Sequence, residues 1–262
     1  MAGLGSAGWL AIVGLPLYVL LVATLSTQSS YLDGGALGLP TRPTLANYLT
    51  VLRNGFTTLV TNTLIVAVVV VAIVLLLAVP VAYVVVRRGA RPVFRLFLLG
   101  LAIPQQATII PVYLMISRLN LYDTLAAIIL PTAAFAMPVS LLILVGSMRD
   151  ISEDLYEAMA LDGASSARVL WQLVVPLSRA GITTVVIYSS LTAWNGFLFP
   201  LILTQSDSNR VLTLGLFNYV GEFGIDIPAL LSAVVLSGVP IFAVYLVARR
   251  ALVNGLMGVG GR

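Results

Sequence analysis

The chain contains no cysteine, no histidine and no lysine, so all 14 of its basic residues are arginines. A Walker-A phosphate loop is excluded, because that loop needs a lysine ammonium group on the nucleotide phosphates. Thiolate nucleophiles, imidazole bases and the usual zinc and haem ligands are excluded as well. We therefore expect no catalytic residue, no metal site and no cofactor on this chain. Any energy source must come from another subunit or from an ion gradient.

Charge is also scarce, since charged residues make up 9% of the chain and hydrophobic residues 60%. With a mean hydropathy of +1.05, this composition is not that of a soluble domain. The length of 262 residues predicts a single membrane domain covering 1–262. The net charge of +4 gives no nucleic-acid signal, because the arginines are not gathered on a surface with aromatic residues.

Long apolar segments are abundant, and each is near the ~20 residues that a helix needs to cross a ~30 Å hydrocarbon core. A valine-rich segment could form a strand in water, but a lone strand cannot satisfy its backbone in lipid. The first segment could instead be a signal peptide, although no basic region precedes it. We predict an all-α membrane protein with six transmembrane helices, at about 9–26, 59–86, 96–117, 124–148, 181–204 and 228–248.

The arginines are distributed unevenly between the two sets of loops that six spans create. With the N-terminus inside, ten arginines fall on the cytoplasmic side and four on the outside. This bias follows the positive-inside rule and predicts that both termini are cytoplasmic. The stretch 149–180 then lies in the cytoplasm, where ATP is available.

That stretch is the most polar part of the chain and holds five of its ten acidic residues. Ser152 precedes two acids, which is typical of a helix N-terminus. Gly163 suits the left-handed conformation that ends a helix, and Ser165 or Ser166 can cap a second helix, until Pro176 interrupts it. We predict a helix, a glycine turn and a second helix between two membrane spans.

The sequence from Glu157 to Ala164, followed by Val175-Pro176-Leu177, resembles the "EAA" loop of bacterial ABC-importer permeases. The departures from the family pattern are Met159 for alanine, Leu170 for an aromatic residue, Val175 for leucine and Ala180 for a second proline. Further phrases, from Asn47 to the C-terminus, are similar to carbohydrate-uptake permeases related to the second permease subunit of maltose-type transporters.

This resemblance implies a subunit of the bacterial plasma membrane that imports a sugar or similar neutral hydroxylated solute by alternating access. It implies a second permease subunit, two ATPase subunits that bind ATP and Mg, and an external solute-binding protein. The loop would then be the element that couples to the ATPase. The residues assigned to that role are Leu155, Glu157, Ala158, Met159, Asp162, Gly163, Ala164, Leu170 and Pro176.

The interiors of the predicted spans contain no charged residue, which disfavours a proton- or ion-coupled carrier and favours a neutral solute. Candidates for the translocation path are Gln105, Gln106, Trp194 and Asn195, although each could equally serve helix packing. Ala193 to Leu198 resembles the family's "WNxF" phrase. The glycine-rich end resembles a tail that reaches the ATPase subunits, which makes Gly255 and Gly258 contact candidates.

Two other classes of protein remain open from the sequence. One is a six-helix secondary carrier or channel, and the other is a non-catalytic membrane scaffold that binds ATPases without moving solute. An ABC permease for a different small solute is a further alternative. Transport that persists without ATP would indicate the carrier or channel.

Overall fold

The computed structural model describes residues 2–221 and 224–257, and these residues are mostly helical. The N-terminal helices are α1 (Ala2–Thr24), α2 (Gln28–Gly34) and α3 (Ala46–Val51). Helix α3 continues through a kink at Gly55, which has a φ of 79°, into α4 (Thr57–Arg88). Glycine permits this left-handed backbone at little cost, and the chain can therefore bend without ending the helix.

The middle of the chain begins with α5 (Arg91–Leu99), which is followed after two short 3-10 turns by α6 (Ile109–Arg118) and then by α7 (Leu125–Arg149). Next come α8 (Glu153–Leu161), α9 (Ser166–Val169) and α10 (Val175–Leu177). The last elements are α11 (Arg179–Trp194), α12 (Leu198–Leu203), α13 (Leu212–Gly215), strands β1 (Val220–Gly221) and β2 (Gly224–Ile225), and α14 (Ile227–Met257).

Two helices are long and apolar enough to cross a membrane within the described residues, Ala46–Arg88 and Leu125–Arg149. Two bent helix pairs raise this number to four if each pair is counted as one span. Shorter apolar helices cover Ile12–Thr24 and Ile227–Ala243. The limits of α4 and α7 lie within two residues of those predicted for the second and fourth spans, although α3 precedes α4 in the same apolar helix.

The predicted third and fifth spans are interrupted helices. In the third, Arg91–Ala102 and Gln105–Arg118 meet at 94°. The cause is Pro104, because the residue before a proline avoids helical backbone, and Ile103 is extended (φ −86°, ψ 111°). In the fifth, α11 ends at Trp194 and α12 begins only at Leu198.

The chain divides into two compact units, and the first comprises the residues up to Val60 together with Leu214–Val253. In this unit β1 and β2 pair antiparallel as a short hairpin. Gln28 Nε2 donates to the carbonyl of Ile225 at 2.8 Å, and Gln28 Oε1 accepts from the amide of Ile227 at 3.2 Å. The side chain of Gln28 thus joins the hairpin to the start of α14.

The second unit includes Thr61–Thr213, and its central element is α7. Helix α11 approaches α7 closely at Gly181, where an added Cβ would lie 2.5 Å from the Cβ of Ser147. Small residues at such a contact allow two helix backbones to come together, as is common between membrane helices. At the other end of α7, Phe199 and Leu203 of α12 are buried in one apolar cluster with Ile116.

A polar clasp centred on Asp123 holds the turn before α7 against the segment that follows α12. The carboxylate of Asp123 accepts from the amides of Gln205 (2.8 Å) and Ser206 (3.0 Å) and from the Ser206 hydroxyl. Its backbone N–H donates to Leu203 at 2.9 Å, and its carbonyl accepts from Asn209 Nδ2 at 2.6 Å. The bond from Gln205, followed by those from Ser206, lowers the pKa of Asp123 to about 2.

The first turns of α4 are attached to the same segment. Asn62 Nδ2 donates to the carbonyls of Ser208 (2.7 Å) and Arg210 (2.8 Å). The hydroxyl of Thr63 accepts from the amide of Leu212 at 2.8 Å. The segment 204–213, which apart from its first residue lies beyond the predicted fifth span, is therefore held by hydrogen bonds from α4 and from the turn before α7.

Candidate functional site

The polar stretch between α7 and α11 folds as the sequence predicts at its first helix and its turn. Ser152 caps α8 by accepting a hydrogen bond from the amide of Asp154 at 3.3 Å. Gly163 has a φ of 68°, which confirms its predicted left-handed conformation. The amide of Ala164 donates to Met159 (2.9 Å) and that of Gly163 donates to Ala160 (3.0 Å), which together form a Schellman motif.

The second helical part of the stretch differs from the prediction at its end. Ser165 caps α9 through the amide of Arg168 at 3.3 Å, as expected. Pro176 does not end the helix, because Leu170–Val174 forms a wider π-helical turn that leads directly into α10. Such a turn changes the hydrogen-bond ladder and accommodates the missing N–H of proline. The direction changes by 77° only after Leu177, before α11.

One face of this helix–turn–helix element is exposed and carries both acidic and apolar groups. Glu157, Ala158 and Asp162 are exposed, and Leu155 has 43% of its surface accessible. Met159 and Ala164 are half-buried. The most exposed large apolar residues of this element are Leu161, at 89%, and Trp171, at 61%, and neither was predicted from the sequence to contact the ATPase. Exposed leucine and indole groups beside carboxylates form a surface suited to a protein partner.

Leu170 differs from the other residues assigned to this face. It is only 8% exposed and packs inside the chain, so it is a core residue here and not part of the exposed surface. The π-helical turn that begins at Leu170 rotates the following residues and brings Trp171 outward. The periodicity of apolar residues could not reveal that Leu170 is buried and Trp171 exposed, because a π turn breaks the 3.6-residue repeat on which the pattern depends.

The opposite face of α8 is attached to the end of α4. Tyr156 is buried, and the guanidinium carbon of Arg87 lies 3.9 Å from the centre of its ring. Arg87 Nη1 also donates to both carboxylate oxygens of Glu153, at 2.6 Å to Oε1. Burial raises the pKa of the Tyr156 phenol, an effect that the charge of Arg87 partly offsets.

The four candidates for the translocation path lie at the two breaks in the helices. Gln105 and Gln106 begin the 3-10 turn after Pro104, where Gln105 is half-buried and Gln106 exposed. Asn195 follows the last residue of α11, is exposed, and donates from Nδ2 to the carbonyl of Leu191 at 2.9 Å. Trp194 is buried, with 8% of its surface accessible.

Other predicted features fall partly beyond the described structure. Gly255 lies within α14, whereas Gly258 lies outside the described residues. No group of three or more acidic, histidine or cysteine side chains close enough to hold a metal occurs in the part of the chain that the structure describes.

Residues 75–257 match the family described as "Binding-protein-dependent transport system inner membrane component", and the chain belongs to that family. It is therefore an inner-membrane, multi-pass component of an ABC transport system. Family membership implies in general a partner ATPase and a binding protein.

Several permeases of known designation are similar to the chain. The permease protein ORF2 of Caldicellulosiruptor sp. (strain Rt8B.4) is 34% identical over 96% of this chain and 92% of that protein. The sulfoquinovosyl glycerol transport system permease protein SmoH of Agrobacterium fabrum is 30% identical over 96% of this chain and 90% of that protein. The diacetylchitobiose uptake system permease protein NgcG of Streptomyces coelicolor is 32% identical over 74% of this chain and 66% of that protein.

A solved structure shares the fold. It is a crystal structure of a bacterial ABC transporter involved in the import of the acidic polysaccharide alginate. The matched chain has a TM-score of 0.81 and 23% identity, with 95% of both chains covered. At this identity the similarity establishes the fold and does not by itself establish the solute.

Proposed function

We propose that the chain is a permease subunit of an ATP-driven importer that moves a sugar or similar neutral hydroxylated solute into the cytoplasm. The observation that carries this proposal is the exposed acidic and apolar face on a capped helix–turn–helix element, in a member of this transport family. Relatives whose designations refer to diacetylchitobiose, glucose and trehalose support a carbohydrate solute. So does the absence of charge within the spans, because sugars bind through neutral hydrogen bonds and aromatic faces.

In this proposal the chain crosses the membrane six times, with both termini in the cytoplasm. The spans are α1, α4, the bent pair α5 and α6, α7, the pair α11 and α12, and α14. Helix α7 has 25 residues and a length of about 37 Å, at 1.5 Å per residue. The Asp123 clasp and the stretch 149–180 therefore lie at opposite ends of one span, and the arginine bias puts 149–180 inside.

The helix–turn–helix element would dock on a partner ATPase through Glu157, Asp162, Leu155 and Met159, joined by the exposed Leu161 and Trp171. Ala158, Gly163, Ala164 and Pro176 shape the element, and the buried Leu170 supports it from within. The ATPases, which hold ATP and Mg, would displace the element when they close. Sliding of packed helices would then switch the path between outward- and inward-facing states.

The solute would reach this path from an external binding protein, across a heterodimer of this chain with a second permease subunit. Gln105, Gln106 and Asn195 would offer amides to the solute, with the buried Trp194 supporting the wall. In the C-terminal part, Gly255 and Gly258 would lie near the ATPase subunits.

The test is solute uptake by the complete complex in proteoliposomes, assayed with radiolabelled di- and monosaccharides. We expect uptake only when ATP is supplied on the side of the membrane that carries the ATPase subunits and the loaded binding protein is supplied on the opposite side. Uptake that continues without ATP would refute the ABC-importer proposal and favour a secondary carrier or channel. ATP hydrolysis stimulated by the binding protein without any uptake would favour a scaffold role.

A further inference from the structure

We propose that Arg87 is a positioning residue that ties α4 to α8, so that α4 transmits a displacement of the helix–turn–helix element to the segment 204–213. This inference rests on the proposed function, because it names how one span is made to follow the element. It concerns contacts within this chain, not contacts with the ATPase.

The contact on α8 involves two residues on one side of the helix. Glu153 and Tyr156 are three residues apart and therefore neighbours on one face. Arg87 engages both, through the carboxylate of Glu153 and through the ring of Tyr156 at 3.9 Å. The two contacts hold the guanidinium in one position between the helices, which a single flexible ion pair would not do.

The ends of the two helices favour this arrangement electrostatically. Arg87 lies in the last turn of α4, near the negative end of that helix dipole, and Glu153 lies in the first turn of α8, near the positive end. The side chains are 30% and 69% exposed, so solvent weakens the ion pair. The adjacent Tyr156 ring is buried and adds the part of the contact that solvent screens least.

The other end of α4 is attached to the segment 204–213. Asn62 donates to the carbonyls of Ser208 and Arg210, and Thr63 accepts from Leu212. From Asn62 to Arg87 the helix rises about 38 Å, at 1.5 Å per residue. Helix α4 is therefore fastened at both ends, to α8 at one and to the segment 204–213 at the other. Sequence separations of 66 and about 150 residues show that neither attachment is a consequence of chain connectivity.

Within the described residues, α8 is joined by the chain to α7 and, through α9 and α10, to α11. The side chain of Arg87 joins α8 to α4 as well, a helix that is remote from α8 in sequence. Without it, a displaced α8 could slide past the end of α4, and the link to the segment 204–213 through α4 would be lost. The links through α7 with the Asp123 clasp and through α11 and α12 would remain.

The experiment uses the complete complex in proteoliposomes and compares Arg87→Ala with Arg88→Ala. Arg88 is the last residue of α4, next to Arg87, and Arg88→Ala removes the same charge as Arg87→Ala. Arg88 is not a member of either ion pair found among the described residues. We expect Arg87→Ala to lower solute transported per ATP hydrolysed about five- to tenfold, as expected for loss of an ion pair and a cation–π contact. Arg88→Ala should leave this ratio unchanged. Arg87→Lys should restore only part of it, because the ammonium group keeps the charge but lacks the planar guanidinium that contacts Glu153 and Tyr156 together.

A second readout follows the far end of α4. Because the chain has no cysteine, Ser208→Cys can be labelled without background from this subunit. We expect ATP to change the labelling rate in the otherwise wild-type complex. Arg87→Ala should reduce that change, because the segment 204–213 keeps its attachment to the Asp123 clasp, and Arg88→Ala should leave it as it is. All rates are normalised to assembled complex, and the Arg87→Lys variant covers the case in which Arg87→Ala assembles poorly.

The inference is overturned if Arg87→Ala and Arg88→Ala behave alike in both assays, or if ATP does not alter Ser208→Cys labelling in the unmodified background. Failure of the proposed function gives a different result, because the complex carrying wild-type Arg87 would then show no ATP-dependent uptake.

Discussion

The conformation of Gly163 allows the coupling role of the helix–turn–helix element to be tested by substitutions at one position. Gly163 is left-handed, and no atom lies within 4 Å of the place where a Cβ would be added. A side chain there meets no steric obstacle, so the cost of substitution comes from the backbone alone. Asparagine tolerates this conformation, alanine does so at a cost of about 1 kcal/mol, and proline, fixed near a φ of −65°, does not adopt it.

These costs predict an ordered series. Gly163→Asn should couple ATP hydrolysis to uptake almost as the wild type does. Gly163→Ala should lower the equilibrium constant for forming the native turn about fivefold, since about 1.4 kcal/mol corresponds to tenfold. Gly163→Pro should abolish the turn, because it also removes the N–H that donates to Ala160 at 3.0 Å. The loop would then present Glu157 and Asp162 in different relative positions, and their joint contact with the ATPase would be lost.

The assay measures binding-protein-stimulated ATP hydrolysis and solute uptake in proteoliposomes, with the amount of complex in the membrane as a control. We expect Gly163→Pro to reach the membrane and to lose both activities. Glu157→Ala should act in the same direction but more mildly, since an exposed ion pair is worth under about 1 kcal/mol. If Gly163→Pro retained both activities at wild-type levels, the stretch 149–180 would not be the coupling element.

Three further predictions concern topology, the path and the clasp. Ser166→Cys should react with an impermeant maleimide only once the cytoplasmic face is opened, whereas Ser208→Cys should react from outside; labelling of Ser166→Cys in intact cells would contradict the six-span, N-inside topology. Asn195→Leu should lower uptake per assembled complex; if thermal unfolding instead shows a loss of about 1 kcal/mol with normal uptake, the amide serves only the end of α11. Asp123→Asn should speed hydrogen exchange of the Gln205 amide at neutral pH. Because the folded pKa of Asp123 is lowered to about 2, the contribution of the clasp should be complete above pH ~4 and lost as pH falls towards 2. A protection factor of the Gln205 amide, relative to an unstructured peptide at the same pH, that stayed unchanged at pH 2 would contradict it.

Features set by neighbouring residues could be read from the sequence. Ser152 caps α8, Ser165 caps α9 and Gly163 is left-handed, as predicted, because caps and turns depend on hydrogen bonds within a few residues. The apolar runs of α4 and α7 likewise predict their helices, since only a helix satisfies a lone segment's backbone in lipid. The order of residues alone determines these features.

Features that depend on contacts between distant segments required the tertiary structure. The burial of Leu170 and the exposure of Trp171 depend on how the helices pack. The 94° angle at Pro104 and the interruption after Trp194 could not be read either, because a proline or an asparagine in a span does not reveal the geometry of the break. The arginine cluster after α4 indicates only a cytoplasmic end. That Arg87 reaches Glu153 and Tyr156, and that Asp123 gathers the amides of Gln205 and Ser206, follows from chain segments folding together across 66 and 82 residues or more. Hydrogen bonds and ion pairs at that separation carry no local signal in the sequence, because any exposed arginine or aspartate has the same capacity to form them.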